Sequence, residues 1–142
     1  NEKVAGIDMA DLRRQLAQAH GFVKQMRADG AQLSSSHDQA QVVRIADHAE
    51  GVLEGILADP GDIRRARRFM ATYLERATQS VSQFVLAEAK GTASAHRTDF
   101  NATLDVIEQA FDEQKQRLDA EDTIDLEVQL DVLRKQMERE GL

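Results

Sequence analysis

Met9-Ala10-Asp11-Leu12-Arg13-Arg14-Gln15-Leu16-Ala17-Gln18-Ala19-His20-Gly21-Phe22-Val23-Lys24-Gln25-Met26 places apolar side chains at Met9, Leu12, Leu16, Ala19, Val23 and Met26, in steps of 3, 4, 3, 4 and 3 residues. An α-helix turns 100° per residue, so positions at these steps fall on one face, and a strand would scatter them over both sides. The stretch is therefore one amphipathic helix with a single buried stripe. Gly30 is its expected stop.

The same period recurs outward from this helix. Ser34-Ser35-Ser36 is a polar break, and Ser36 with Gln39 has the spacing of a capping box. The second helix carries Val42, Ile45, Ala49, Val52 and Ile56 on one face, widened by Val43, Ala46, Leu53 and Leu57. It is expected to end at Ala58-Asp59-Pro60-Gly61, because the residue before a proline is pushed out of helical geometry. A third helix is expected over 62–90, with a stripe through Ile63, Ala66, Met70, Tyr73 or Leu74, Ala77, Val81 and Phe84. Gly91-Thr92-Ala93-Ser94 breaks the pattern. A fourth helix carries Phe100, Leu104, Ile107, Phe111, Gln114 and Leu118 and is expected to end near Asp119-Ala120-Glu121-Asp122. In the last segment Ile124, Leu126, Val128, Leu130 and Val132 alternate as a strand would, while Leu126, Leu130, Leu133 and Met137 fit a helix face. Thr123 is placed to cap it and a lone strand would lack a partner, so it is assigned as helix. The expected fold is all-α: one domain over 1–142, an elongated antiparallel bundle of about five helices, three of them long.

Composition excludes several chemistries. The 142 residues contain no Cys, one Pro, no Trp and 42 % hydrophobic residues. Thiolate catalysis, thiolate metal sites and disulfides are closed off. A net charge of −7 disfavours general nucleic-acid binding. No apolar run approaches the roughly 20 residues a membrane span needs, and no stretch reads as a signal peptide. There is no P-loop: Lys90-Gly91-Thr92 has the wrong order. The residues three before His20, His37, His48 and His96 are Ala17, Ser34, Ile45 and Ala93, so no Glu-x-x-His di-metal pair exists. His37-Asp38 and Asp47-His48 read as helix surface or as fragments of a metal site. Glu121, Asp122 and Asp125, with Glu127, read as acids at a helix entry or as oxygen ligands for Mg²⁺ or Ca²⁺.

Arg64, Arg65, Arg67 and Arg68 form the clearest candidate site. They crowd the first turns of the third helix, where the dipole prefers acids. Either they pair with acids of the chain such as Glu50, Glu54 and Asp59, or they form a patch for an anion, a membrane surface or an acidic partner. Phe22 flanks its stripe and is a candidate exposed docking residue. No catalytic residue and no cofactor is assigned.

Arg67-Arg68-Phe69-Met70-Ala71-Thr72-Tyr73-Leu74 after Pro60, then Ala110-Phe111-Asp112-Glu113-Gln114, the turn Glu121-Asp122-Thr123-Ile124-Asp125-Leu126 and the closing Glu140-Gly141-Leu142 follow one another in an order that resembles the XpaC family, named for 5-bromo-4-chloroindolyl phosphate hydrolysis. The resemblance covers about 42–142. It departs where Glu75 follows Tyr73-Leu74 and where Phe84 stands in place of a family Tyr. It implies a helical protein found near tellurite-resistance proteins of the TelA type, with a protein partner of that kind. It also implies relatives with hydrophobic N-terminal segments, so an anchor ahead of Asn1 and a cytoplasmic place, free or at the membrane face, are expected. The family label leaves open a metal-dependent phosphoester hydrolase; the absence of a recognisable motif favours a non-enzymatic scaffold, which could also self-associate.

Overall fold

The structure, a computed structural model, describes residues 3–4, 7–58, 67, 70–139 and 141; the side chains at 3–4, 7–8, 57–58, 70–71, 114–115, 117–127 and 129 lie outside that description. Two short strands, β1 (Lys3–Val4) and β2 (Ile7–Asp8), pair antiparallel, with Val4 opposite Ile7. The other elements among the described residues are helical: α1 (Met9–Gly30), α2 (Ser36–Ala58), a π-turn at Met70–Leu74 leading into α3 (Glu75–Lys90), and α4 (Ala93–Arg139). The fold is all-α, as the periodicity requires. The chain divides into two units, Asn1–Phe111 and Asp112–Leu142, and α4 contributes residues to both.

Side-chain pairs set the topology of the first unit. Gly30 meets Val42, and Arg27 pairs with Asp47 and Glu50, so α1 and α2 run antiparallel. Thr78 Oγ1 reaches Phe22 O and Ser34 N–H donates to Glu88, so α3 runs parallel to α1. Phe84 stacks on Phe100 at 4.1 Å between ring centroids, while Asp38, Gln41 and Arg44 contact Arg97, Asp105 and Glu108. The segment of α4 up to Phe111 therefore runs against α3 and alongside α2. This is an up-down-up-down four-helix arrangement, joined by short connections at 31–35 and 91–92.

The predicted stripes supply the core. Leu12, Leu16, Ala19, Val23 and Met26 of α1, Val42, Ile45, Ala49, Val52, Leu53 and Ile56 of α2, Ala77, Val81 and Phe84 of α3, and Phe100, Leu104, Ile107 and Phe111 of α4 are all buried. Leu74, not Tyr73, is the buried member of the ambiguous pair; Tyr73 is half-buried against the core. The end of α3 was legible. Gly91 adopts φ 76°, the Gly91 N–H donates to Glu88 O and the Thr92 N–H to Ala87 O, the double bond pattern of a Schellman cap.

Several expectations are corrected. The break at Asp119-Ala120-Glu121-Asp122 does not occur: α4 is continuous from Ala93 to Arg139. No Gly or Pro stands there, and interrupting a helix sacrifices backbone hydrogen bonds and demands a second nucleation, which outweighs a cap worth about 1 kcal/mol at Thr123. The last segment is helix, without a start of its own. The α2 cap is Ser35, not Ser36: its Oγ accepts the Asp38 N–H at 3.3 Å, and Gln39 Nε2 instead donates to Leu33 O at 2.6 Å. Val43 is exposed rather than part of the stripe. Gly30 ends α1 without a left-handed φ; its role is contact with Val42. The turn at Pro60-Gly61 and the helix start at Asp62 lie outside the described residues.

Candidate functional site

Of the four arginines singled out, Arg67 is described; Arg64, Arg65 and Arg68 lie outside the described residues. Arg67 sits on the rim of a cleft of about 240 Å³. The floor is apolar: Leu12, Leu16 and Ala19 from α1, Leu53 and Ile56 from α2, and Leu74 from the π-turn. These are the same stripe residues that form the core. Gln15, Gln18 and Glu75 complete the rim. Phe22, expected to be an exposed docking residue, is half-buried and forms one wall.

Arg67 Nη2 stands 3.8 Å from Asp11 Oδ2. Asp11 also holds Arg14 Nη2 at 2.7 Å and accepts from Gln15 Nε2 at 3.1 Å. Two guanidinium groups thus share one carboxylate, and Glu75 sets a second acid on the same rim, so the charges where the cleft opens are mixed. Asp11 was not among the acids expected to pair with the arginine cluster. Glu50, which was, is taken by Arg27 at 3.2 Å. Asp47, at 2.8 Å, followed by Glu50, holds the Arg27 guanidinium more firmly protonated than a free arginine.

A second polar constellation, which the sequence reading missed, lies between α2 and α4. Asp38 is 1 % exposed and accepts from Arg97 Nη1 at 3.0 Å; Arg97 lies 5.0 Å from the Phe84 ring centroid, a cation–π distance. Gln41, 2 % exposed, donates through Nε2 to Asp105 Oδ1 at 2.7 Å. Arg44 Nε donates to Glu108 Oε2 at 2.7 Å, and this bond holds the Glu108 carboxyl below the usual carboxylate range. These partners are 59 to 64 positions apart. Their single local trace is the spacing of Asp38, Gln41 and Arg44 at the edge of the α2 stripe. Chemically, the seam pins the register of two helices: opposite charges and donors meet acceptors, and a slip of one turn would strand buried polar groups.

The other sequence candidates are placed as follows. His37 Nδ1 lies 3.3 Å from Asp38 Oδ1, while the His37 side chain is exposed. Asp38 is engaged with Arg97 and Asp47 with Arg27, so the His37-Asp38 and Asp47-His48 pairs do not come together as ligands. Among the described residues no three His, Asp or Glu side chains converge as a metal site. Glu121, Asp122 and Asp125 fall in the helical backbone of α4, in mid-helix rather than at an N-terminus; their side chains lie outside the description. Among the described residues no helix is long and apolar enough to cross a membrane.

A family model described as "5-bromo-4-chloroindolyl phosphate hydrolysis protein" matches residues 2–133. No curated protein and no solved structure matches the chain.

Proposed function

The chain belongs to the 5-bromo-4-chloroindolyl phosphate hydrolysis protein (XpaC) family, and from that premise we propose that it is a non-enzymatic interaction protein whose docking site is the Arg67-rimmed cleft. The observation that carries this is the pairing of an apolar floor, Leu12, Leu16, Leu53, Ile56 and Leu74, with a guanidinium, Arg67, on the rim 3.8 Å from its acid Asp11. Such a site suits a partner segment that inserts an apolar anchor and sets a carboxylate beside it, the helix-in-groove mode. The partner we propose is a TelA-like protein, in an envelope or toxic-anion stress pathway at the cytoplasmic face of the membrane. Titration calorimetry with the TelA-type protein of the same genome tests this. Binding weakened at least about tenfold by Arg67→Glu, the loss of roughly one charge-assisted contact, is expected; no heat of binding at any accessible concentration refutes it.

A second reading is a phosphoester hydrolase, favoured by the family description and by Arg67 on the cleft rim, a residue type that binds phosphate bidentately. Indolyl or nitrophenyl phosphate incubated with the protein and Mg²⁺, Mn²⁺ or Zn²⁺ separates the two. Turnover above a heat-denatured control, lost on Arg67→Glu, would establish the hydrolase and displace the scaffold.

A further inference from the structure

Gln41 Oε1 on α2 and Asn101 Oδ1 on α4 are both buried and have no hydrogen-bond partner among the described residues. Buried acceptors are nearly always satisfied, because an orphan carbonyl forfeits its hydration without return. We propose that one internal water molecule is bound in the seam between α2 and α4, donating one hydrogen to Gln41 Oε1 and the other to Asn101 Oδ1. This inference stands independently of the cleft.

The orientation of Gln41 is fixed by its neighbours. The residue is 2 % exposed, and its Nε2 donates to Asp105 Oδ1 at 2.7 Å and stands 3.4 Å from Glu108 Oε1. Turning the amide over would set its oxygen against two carboxylates, so Oε1 needs a donor other than these. Register then brings Asn101 into range. Arg97, Asn101, Asp105 and Glu108 follow one another on α4 in steps of 4, 4 and 3, which is one helix face. Arg97 reaches Asp38 and Asp105 reaches Gln41, so Asn101, between them, stands opposite the turn of α2 that joins Asp38 to Gln41. Residues one turn apart, as Asn101 and Asp105 are, have Cβ atoms about 5–6 Å from each other. A water with two bonds of about 2.8 Å spans acceptors roughly 4.5–5.5 Å apart, the same reach.

Chemistry selects the occupant. Two acceptors need a double donor, and water supplies two hydrogens without adding charge. A cation would also suit two carbonyl oxygens, but the carboxylates that would complete its shell are engaged: Asp38 by Arg97, Glu108 by Arg44 and Asp105 by Gln41. The guanidinium groups of Arg97 and Arg44 in the same seam repel a further positive charge.

A high-resolution crystal structure of the full chain tests the proposal. One density peak is expected, with contacts of about 2.8 Å to both oxygens. In solution the same water should give a rotating-frame Overhauser cross-peak of dipolar sign to the Gln41 side-chain amide protons. Asn101→Leu should abolish that cross-peak with unchanged helical circular dichroism. A seam without the peak, Asn101 Nδ2 donating directly to Gln41 Oε1, contacts of about 2.4 Å that mark a cation, or a cross-peak that persists in Asn101→Leu each overturn the proposal.

Discussion

Replacing Gly30 by alanine separates two roles that predict opposite signs. A glycine that only stops a helix would be improved by alanine, by up to about 1 kcal/mol of helix propensity. Gly30, however, is buried at the end of α1, and a Cβ built on it would lie 2.5 Å from Val42 Cγ1 and 3.1 Å from Val42 Cβ. Both distances are inside van der Waals contact. Val42 is buried and β-branched, so its χ1 has few alternatives. Relief requires α1 and α2 to move apart near the Arg27–Asp47 pair. Overpacking of this kind costs about 1–3 kcal/mol, and a terminal helix position recovers only part of the propensity gain. The net expectation is a loss of about 1–2 kcal/mol, or a fall of roughly 3–6 °C in Tm for a chain of this size. Urea unfolding followed at 222 nm should show a lower midpoint with an unchanged m-value. Val42→Ala alone should destabilise, yet in the Gly30→Ala background it should cost about 1 kcal/mol less, because it removes the clashing methyl groups. Stabilisation by Gly30→Ala, or additivity in the double variant, would refute the contact role.

Three further outcomes follow from the same structure. Gly91→Ala should cost about 1 kcal/mol in the same assay, because φ 76° crowds a Cβ even though open space surrounds it. Asp38→Ala should cost about 2 kcal/mol, since it strands Arg97 beside Phe84 and removes a buried acceptor, whereas Asp11→Ala, which breaks exposed pairs, should cost less than about 1 kcal/mol. Glu108 is held below its ordinary value of 4.5, first by the Arg44 hydrogen bond, so the stability it contributes is present above that value and is lost as pH falls through the lowered native value. Midpoints measured across that acidic window should fall less steeply in Arg44→Gln than in the parent chain.

How much of the site was legible follows from the range of each interaction. The cleft floor was readable, because Leu12, Leu16, Leu53 and Ile56 belong to stripes that any helical reading finds. The rim was not: Arg67 stood out by composition, but its partner Asp11 lies 56 positions away in the sequence. Ser35 as the α2 cap could not be told from Ser34 or Ser36, since three consecutive hydroxyls offer the same chemistry. The choice falls to the register in which Gln39 reaches Leu33 O.

By itself the sequence determined the all-helical class, the buried stripes and the end of α3 at Gly91. These rest on backbone propensity and on periods of three and four residues, which act within a turn or two. Tertiary structure alone decided that Gly30 is a contact rather than a turn, that Asp38, Gln41 and Arg44 find Arg97, Asp105 and Glu108, and that Leu130, Leu133 and Met137 stay uncovered while the like-spaced Leu104, Ile107 and Phe111 are buried. An identical local pattern marks covered and uncovered faces alike, because the helix period records which side chains share a face and carries no information on what lies against it.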